Sequence, residues 1–347
     1  MSSPISRSSP VSRSSLTSRS NLTNQHSPIT SPPLSTALLP QSELSRMSRV
    51  DSNHGHSSPI FGQVYWSPLR SLWTTFIYAG AILGGYATFE WDAALLFIVA
   101  TLITLGAGYS VGLHRRLIHH SFQCHQWLEA LLVYLGVLTG IDGPLSTIEK
   151  HDIEDWAQHQ DSCHPYLAHR SNPLKDWFWQ THCTLHLNYP PIFRHDSKTA
   201  RNRFYQWLQQ TWMLQQLPWA IAFYHYGGWS WVFWGIYVRV AISITLQWLG
   251  QYLTNSPLGE PKWSFGRRRY NNPFYNNPLL GLLSFGECWQ SNHKAFPNAA
   301  RFSLYPKQLD PSWWFISALK RLGLAWNIHY PCNTVTFQTR TTFQTRT

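Results

Sequence analysis

Charge is the scarcest property of this chain. Asp, Glu, Lys and Arg make up 12% of its 347 residues, about half of the ~25% usual in a soluble domain. That shortage argues against a pair of ordinary water-soluble domains, which the length alone would allow. Acids are rarer than bases, 16 against 27, so the net charge is +11. No basic stripe accompanies a recognisable reading module, so no nucleic-acid partner is expected. Cysteine is sparse as well: Cys124, Cys163, Cys183, Cys288 and Cys332 form no CxxC pair. Neither a disulfide framework nor a zinc ribbon is therefore expected. Residues 1–60 are poor in large apolar side chains, and stretches such as SRSSPVSRSSLTSRS bury too little surface to offset the entropy of ordering. This segment has no apolar core of the kind a secretory signal needs. It is expected to be a disordered Ser/Arg/Pro-rich tail, although its composition also suits a transit peptide. Residues 331–347 end in the tandem FQTRTTFQTRT and are expected to be a second disordered tail.

Aromatic side chains are plentiful: 19 Trp, 18 Phe and 16 Tyr. Many aromatics with few charges suit the belts of a membrane protein. Four apolar runs, 72–89, 93–113, 212–226 and 229–249, approach the roughly 20 residues that cross a bilayer. The short linkers at 90–92 and around Gly227-Gly228 join them as two hairpins. Arg239 falls in the fourth run, and the cost of a charge in lipid predicts that it faces the protein interior. A fifth run, 127–141, is too short to cross and is expected to be buried or interfacial. Arg70, Arg115, Arg116, Arg201, Arg203, Arg267, Arg268 and Arg269 flank one end of the runs, and the hairpin linkers carry no Lys or Arg. The positive-inside rule then puts both termini in the cytosol. The expected fold class is an all-α, multi-pass integral membrane protein. Four transmembrane helices in two hairpins would carry a cytosolic helical cap.

Most of the 17 histidines fall on that cytosolic side. His114 and His119 leave the second run five residues apart, a spacing that shares no face of an ideal helix but can converge if the helix ends between them. His151, Glu154 and Asp155 share one helix face. A histidine with two carboxylates suits iron or manganese, and the same pattern also describes a solvated helix turn. His182 and His186 are four apart beside Trp177 and Trp179, and read as an interfacial face. The stretch GECWQSNHKAFPNAAR, 286–301, encloses the single histidine His293.

Taken together, GLHRRLIHHSF, the His151 stretch and GECWQSNHKAFPNAAR, in the order span-span-box-box-span-span-box, resemble the membrane fatty acid desaturases of the delta-9 acyl-CoA and acyl-lipid type. The resemblance covers residues 65–330, which form the expected desaturase-like domain. It implies a fold whose three histidine boxes hold two iron ions, and the introduction of a double bond into a fatty-acyl chain using dioxygen. It also implies a lipid bilayer, an acyl-lipid or acyl-CoA substrate, and an electron donor such as ferredoxin or cytochrome b5. Carried over by position, the metal ligands are His114, His119, His151, Glu154, Asp155 and His293. Imidazoles that the family pattern expects are replaced at Glu154, Asp155, Gly259, Gln290 and Lys294. Two readings follow from these departures. One is a working desaturase; the other is a noncatalytic desaturase-fold protein that binds lipid or a partner, its metal site decayed.

Overall fold

The structure is a computed structural model that describes residues 49–51, 57–194, 196–255 and 274–331. The two expected tails lie almost wholly outside the described residues, as do Gly259 and the Arg267 cluster. Among the described residues, two helices are long and apolar enough to cross a membrane, Trp91–Ile118 and Gln216–Asn255. The second is interrupted at Gly228, whose φ of 63° and ψ of −155° leave helical space. A Cβ on Gly235 would lie 2.7 Å from the Phe223 ring. In a straight helix, residues twelve apart are separated by about 18 Å. The chain therefore doubles back at Gly228, where glycine alone adopts such angles without strain.

A further helix runs through Pro68–Ala79, Gly80–Gly84 and Gly85–Ala87. Pro68 opens it, because a first-turn residue needs no backbone N–H partner. The outer ends of the helical arms are pinned together. Trp231 Nε1 donates to Asp92 at 2.9 Å, and Ser230 Oγ donates to the Thr88 carbonyl at 2.7 Å. Leu72, Ile82, Leu83, Leu95, Ile98 and Ile221 are all exposed on the arms. An apolar surface this extensive suits hydrocarbon better than water. Arg239 is 3% exposed. It donates to the carbonyls of Gly235 and Leu138 and to Gln216 Oε1, each at 2.6 Å, so its charge is turned inward as expected.

The fifth apolar run forms the helix Gln126–Val137, packed along Leu102–Ile118. Small residues allow the approach. A Cβ on Gly108 would lie 2.3 Å from the Leu135 carbonyl carbon, and one on Gly112 2.5 Å from that of Leu132. Because the obstacle is backbone, no rotamer change relieves it. Gly108→Val is expected to push these helices apart at a cost of about 1–3 kcal/mol or more. Thermal unfolding in detergent checks this, and a variant that melts like the wild type would refute the close packing.

The all-α expectation needs correction. Among the described residues, six strands form three two-stranded pairs. Ser58–Trp66 runs antiparallel to Cys183–Tyr189, so regular structure begins inside the segment read as tail. Pro173–His182 is a helix capped by the Asn172 side chain, and the chain becomes extended at Cys183. The residues after it, Thr184-Leu-His-Leu-Asn-Tyr189, alternate polar and apolar, which is the strand period. His182 and His186 therefore share no helix face: His186 sits in the strand opposite Gln63. Arg115, expected only as a positive charge flanking the second run, is fully buried, paired with Glu287 of the third histidine segment and with Asp310 beyond it.

Candidate metal centre

His114 lies within the helix that ends at Ile118, and His119 is its C-cap, so the helix does end between the two histidines. The stretch Leu102–Ile118 is wound as a π-helix, and the His119 N–H donates to the His114 carbonyl at 3.1 Å. Wide turns of this kind put residues five apart on one face and recur at functional sites. The two ring centroids lie 4.5 Å apart. The helix ends at Ile118, and His120 follows in left-handed backbone at φ 50°.

His151 comes from the helix Pro144–Gln158, whose first turn holds Pro144. His293 comes from Gln290–Ala295. Its ring lies 4.5 Å from that of His119 and 4.3 Å from that of Phe302. One nitrogen from each of His114, His119, His151 and His293 lies within 4.8 Å of all the others. His114, His119 and His293 are buried, at 5%, 1% and 3% exposure, and His151 is partly so.

Carboxylates set the orientation of two of these rings. Glu287 accepts from His114 Nδ1 in a very short contact, and Asp152 Oδ1 lies 3.2 Å from His151 Nδ1. Burial works against charge on Glu287, but His114 and Arg115 outweigh it and hold the carboxyl below its usual range. An ionised carboxylate only accepts, so Nδ1 carries the proton and Nε2 keeps its lone pair. The Nε2 atoms of His114 and His151 then face each other at 3.3 Å. Two lone pairs that close repel unless a cation or proton lies between them. Tetrahedral ligands about 2.0–2.1 Å from a metal are separated by about 3.3–3.4 Å. A carboxylate behind a ligating imidazole is the usual outer-shell arrangement. These residues therefore fit one metal ion.

Glu287 does more than orient His114. It also accepts from Arg115 Nη1 at 2.7 Å, and Arg115 Nη2 donates to Asp310 at 3.0 Å. Arg115 Nε donates to the Ala300 carbonyl at 3.0 Å, and the guanidinium lies 3.8 Å from the Phe302 ring centre. The third histidine segment is thus fastened to the end of the Trp91–Ile118 helix through one arginine. Asp152 is held in turn by Arg49 at 2.6 Å.

The two carboxylates expected as ligands, and the other polar residues nearby, are placed differently. Glu154 lies 3.7 Å from Lys150 and lines a cavity of about 90 Å³ beside His151, with Tyr109, Arg70 and Gln247. Asp155 pairs with Lys294. Neither carboxylate joins the cluster of four imidazoles. Gln290 is buried on the first turn of the His293 helix. His120 faces Arg116 at 3.3 Å, and burial together with Arg49 and Arg116 pushes its imidazole down to about 4. His164 accepts from the Tyr166 N–H as a helix cap. His169 is 3% exposed and lines the same cavity, with Nδ1 3.1 Å from Asp176. Residue-by-residue reading of the sequence missed the supporting roles of Glu287, Asp152 and Asp310. The Gly-Glu pair that opens GECW was the available signal for the first.

Known proteins resemble this chain over most of its length. An sn-2 palmitoyl-lipid 9-desaturase from Nostoc is 30% identical over 245 residues, 68% of this chain and 81% of the relative. An sn-1 stearoyl-lipid 9-desaturase from Anabaena variabilis is 30% identical over 273 residues, 77% of this chain and 94% of the relative. Delta-9 acyl-lipid desaturase 2 from Arabidopsis thaliana is 29% identical over 252 residues, 70% and 76% of the two chains. No family profile matches the chain. With two relatives at this identity covered over more than two thirds of their length, the chain belongs to the membrane fatty acid desaturase family.

Proposed function

We propose that this protein is an iron-dependent, dioxygen-using membrane oxidoreductase that introduces a double bond into a fatty-acyl chain. The observation that carries the reading is the convergence of His114, His119, His151 and His293 from three distant segments in a chain of this family. Iron held there supplies the redox chemistry with dioxygen that breaking an unactivated C–H bond requires. The balanced change removes two hydrogens from adjacent methylenes and reduces dioxygen to two waters. It consumes two further electrons and two protons, which a ferredoxin or cytochrome b5 class donor would bring. Acyl-lipid is the favoured carrier, by analogy with the named substrates of the relatives.

The four helical arms are read as crossing the bilayer as two hairpins. Trp91–Ile118 has 28 residues, and about 20 suffice to cross. Its last two turns would then emerge from the membrane and carry His114 and His119 to its aqueous face. By the positive-inside rule, Arg70, Arg116, Arg201 and Arg203 support assigning that face, and with it both termini, to the cytosol. There the chain's own residues have distinct tasks. Glu287 and Asp152 hold His114 and His151 with Nε2 turned inward. Phe302 shields His293 from water. The cavity walled by Trp73, Tyr109, Trp212, Ile244 and Trp248 opens next to His151 and can present a chain segment to the site.

Lipid profiling tests the proposal. Cells lacking their own delta-9 activity would express the full chain, with an electron donor supplied, and their fatty-acid methyl esters would be analysed. New monounsaturated chains, absent with His151→Ala, are the expected result. Saturated profiles from an iron-loaded protein would favour the noncatalytic lipid-binding reading instead.

A further inference from the structure

The two substitutions that most disturb the family's histidine pattern touch each other. Asp155 lies one helical turn beyond His151, and Lys294 directly follows His293. Their side chains form an ion pair, with exposures of 20% and 10%. The ammonium also donates to Gln158 Oε1 at 3.3 Å and lies 4.8 Å from the centre of the Phe274 ring. Either charge alone, this far from water, would be costly; the two together are neutral. The same helices, Pro144–Gln158 and Gln290–Ala295, thus meet twice, once through two imidazoles and once through a carboxylate and an ammonium. Lys294 has no lone pair to offer while it is protonated, and its charge repels a cation. Lys150 likewise draws on Glu154.

We infer that this chain holds one metal ion per molecule, bound by His114, His119, His151 and His293, and that the Asp155–Lys294 ion pair occupies the place from which these helices would present ligands to a second ion. The inference rests on the four-imidazole metal site proposed above, and is independent of the acyl reaction. It makes the changes at 155 and 294 a coupled replacement of metal charge by protein charge. Two separate losses of ligands would leave no such pair.

Metal stoichiometry tests it without reference to activity. The full chain, purified in detergent and stripped of metal, would be titrated anaerobically with Co(II), and the visible bands of nitrogen-bound cobalt recorded. Iron per chain in the untreated protein would be measured alongside by mass spectrometry. The expected result is a break at one equivalent and one iron per chain. A break at two equivalents, or no binding, overturns the inference. Lys294→Met removes a neighbouring cation, leaves the Asp155 carboxylate facing the ion, and is expected to tighten Co(II) at least ~10-fold. Unchanged affinity would place the pair too far from the ion and also overturn the inference. Asp155→Asn combined with Lys294→Met is expected to keep the break at one equivalent; a fall would mean that the pair takes part in binding. A one-to-one stoichiometry with no new double bonds would sink the proposed reaction and leave this inference standing.

Discussion

Replacing His119 with alanine is expected to abolish metal binding and, with it, double-bond formation. His119 occupies the middle of the cluster, with its ring 4.5 Å from those of His114 and His293 and 4.9 Å from that of His151. Loss of an outer-shell partner typically costs 10–100-fold in metal affinity, and loss of a direct ligand costs more. A reduction beyond ~100-fold in Co(II) affinity is therefore expected, with monounsaturated products below detection. The substitution leaves the Arg115, Glu287 and Asp310 ion pairs in place, so the metal-free variant should still elute as a single species. Wild-type cobalt affinity in His119→Ala would show that the imidazole is not a ligand, whatever the lipid profile.

Arg115→Leu is expected to unfold the site from behind. The guanidinium is fully buried, and its partners Glu287 and Asp310 have side-chain exposures of only 13% and 1%. Truncation would leave both carboxylates without their counter-ion in a poorly hydrated place. Breaking a buried pair in this way costs about 3–5 kcal/mol. At about 2–4 °C per kcal/mol for 150–250 residues, and less for a longer chain, the melting temperature should fall by roughly 5–10 °C. Arg115→Lys keeps the charge but not the fork that reaches Glu287, Asp310 and the Ala300 carbonyl together. It should recover less than half of the loss. Thermal unfolding of the metal-free proteins in one detergent separates these outcomes. Arg115→Leu melting within about 2 °C of the wild type would reduce the network to an incidental contact.

Much of the site was legible in the sequence because its parts are local. His114 and His119 sit at the end of an apolar run, His151 on a helix, and His293 between the fragments GECW and AFP. The turn at Gly228 was marked by paired glycines, and the inward turn of Arg239 followed from the cost of charge in lipid. The convergence of His114 and His119 was not legible in the same way. Periodicity assumes 3.6 residues per turn, whereas the wide turns here bring residues five apart together. Likewise, a run of Leu, His and Tyr after Cys183 offered two periods at once, and pairing with Ser58–Trp66 selected the strand. Arg115 looked like any flanking charge until distant acids were folded against it.

By itself, then, the sequence determined the membrane-suited composition, the hairpin turns and the four imidazoles, since these depend on apolar run length, glycine angles and residue identity. Only the tertiary structure decided how the substituted positions are used. Asp155 and Lys294 are 139 residues apart, and Arg115 and Asp310 are 195 apart. Attraction between charges depends on their separation in space, which no spacing along the chain records.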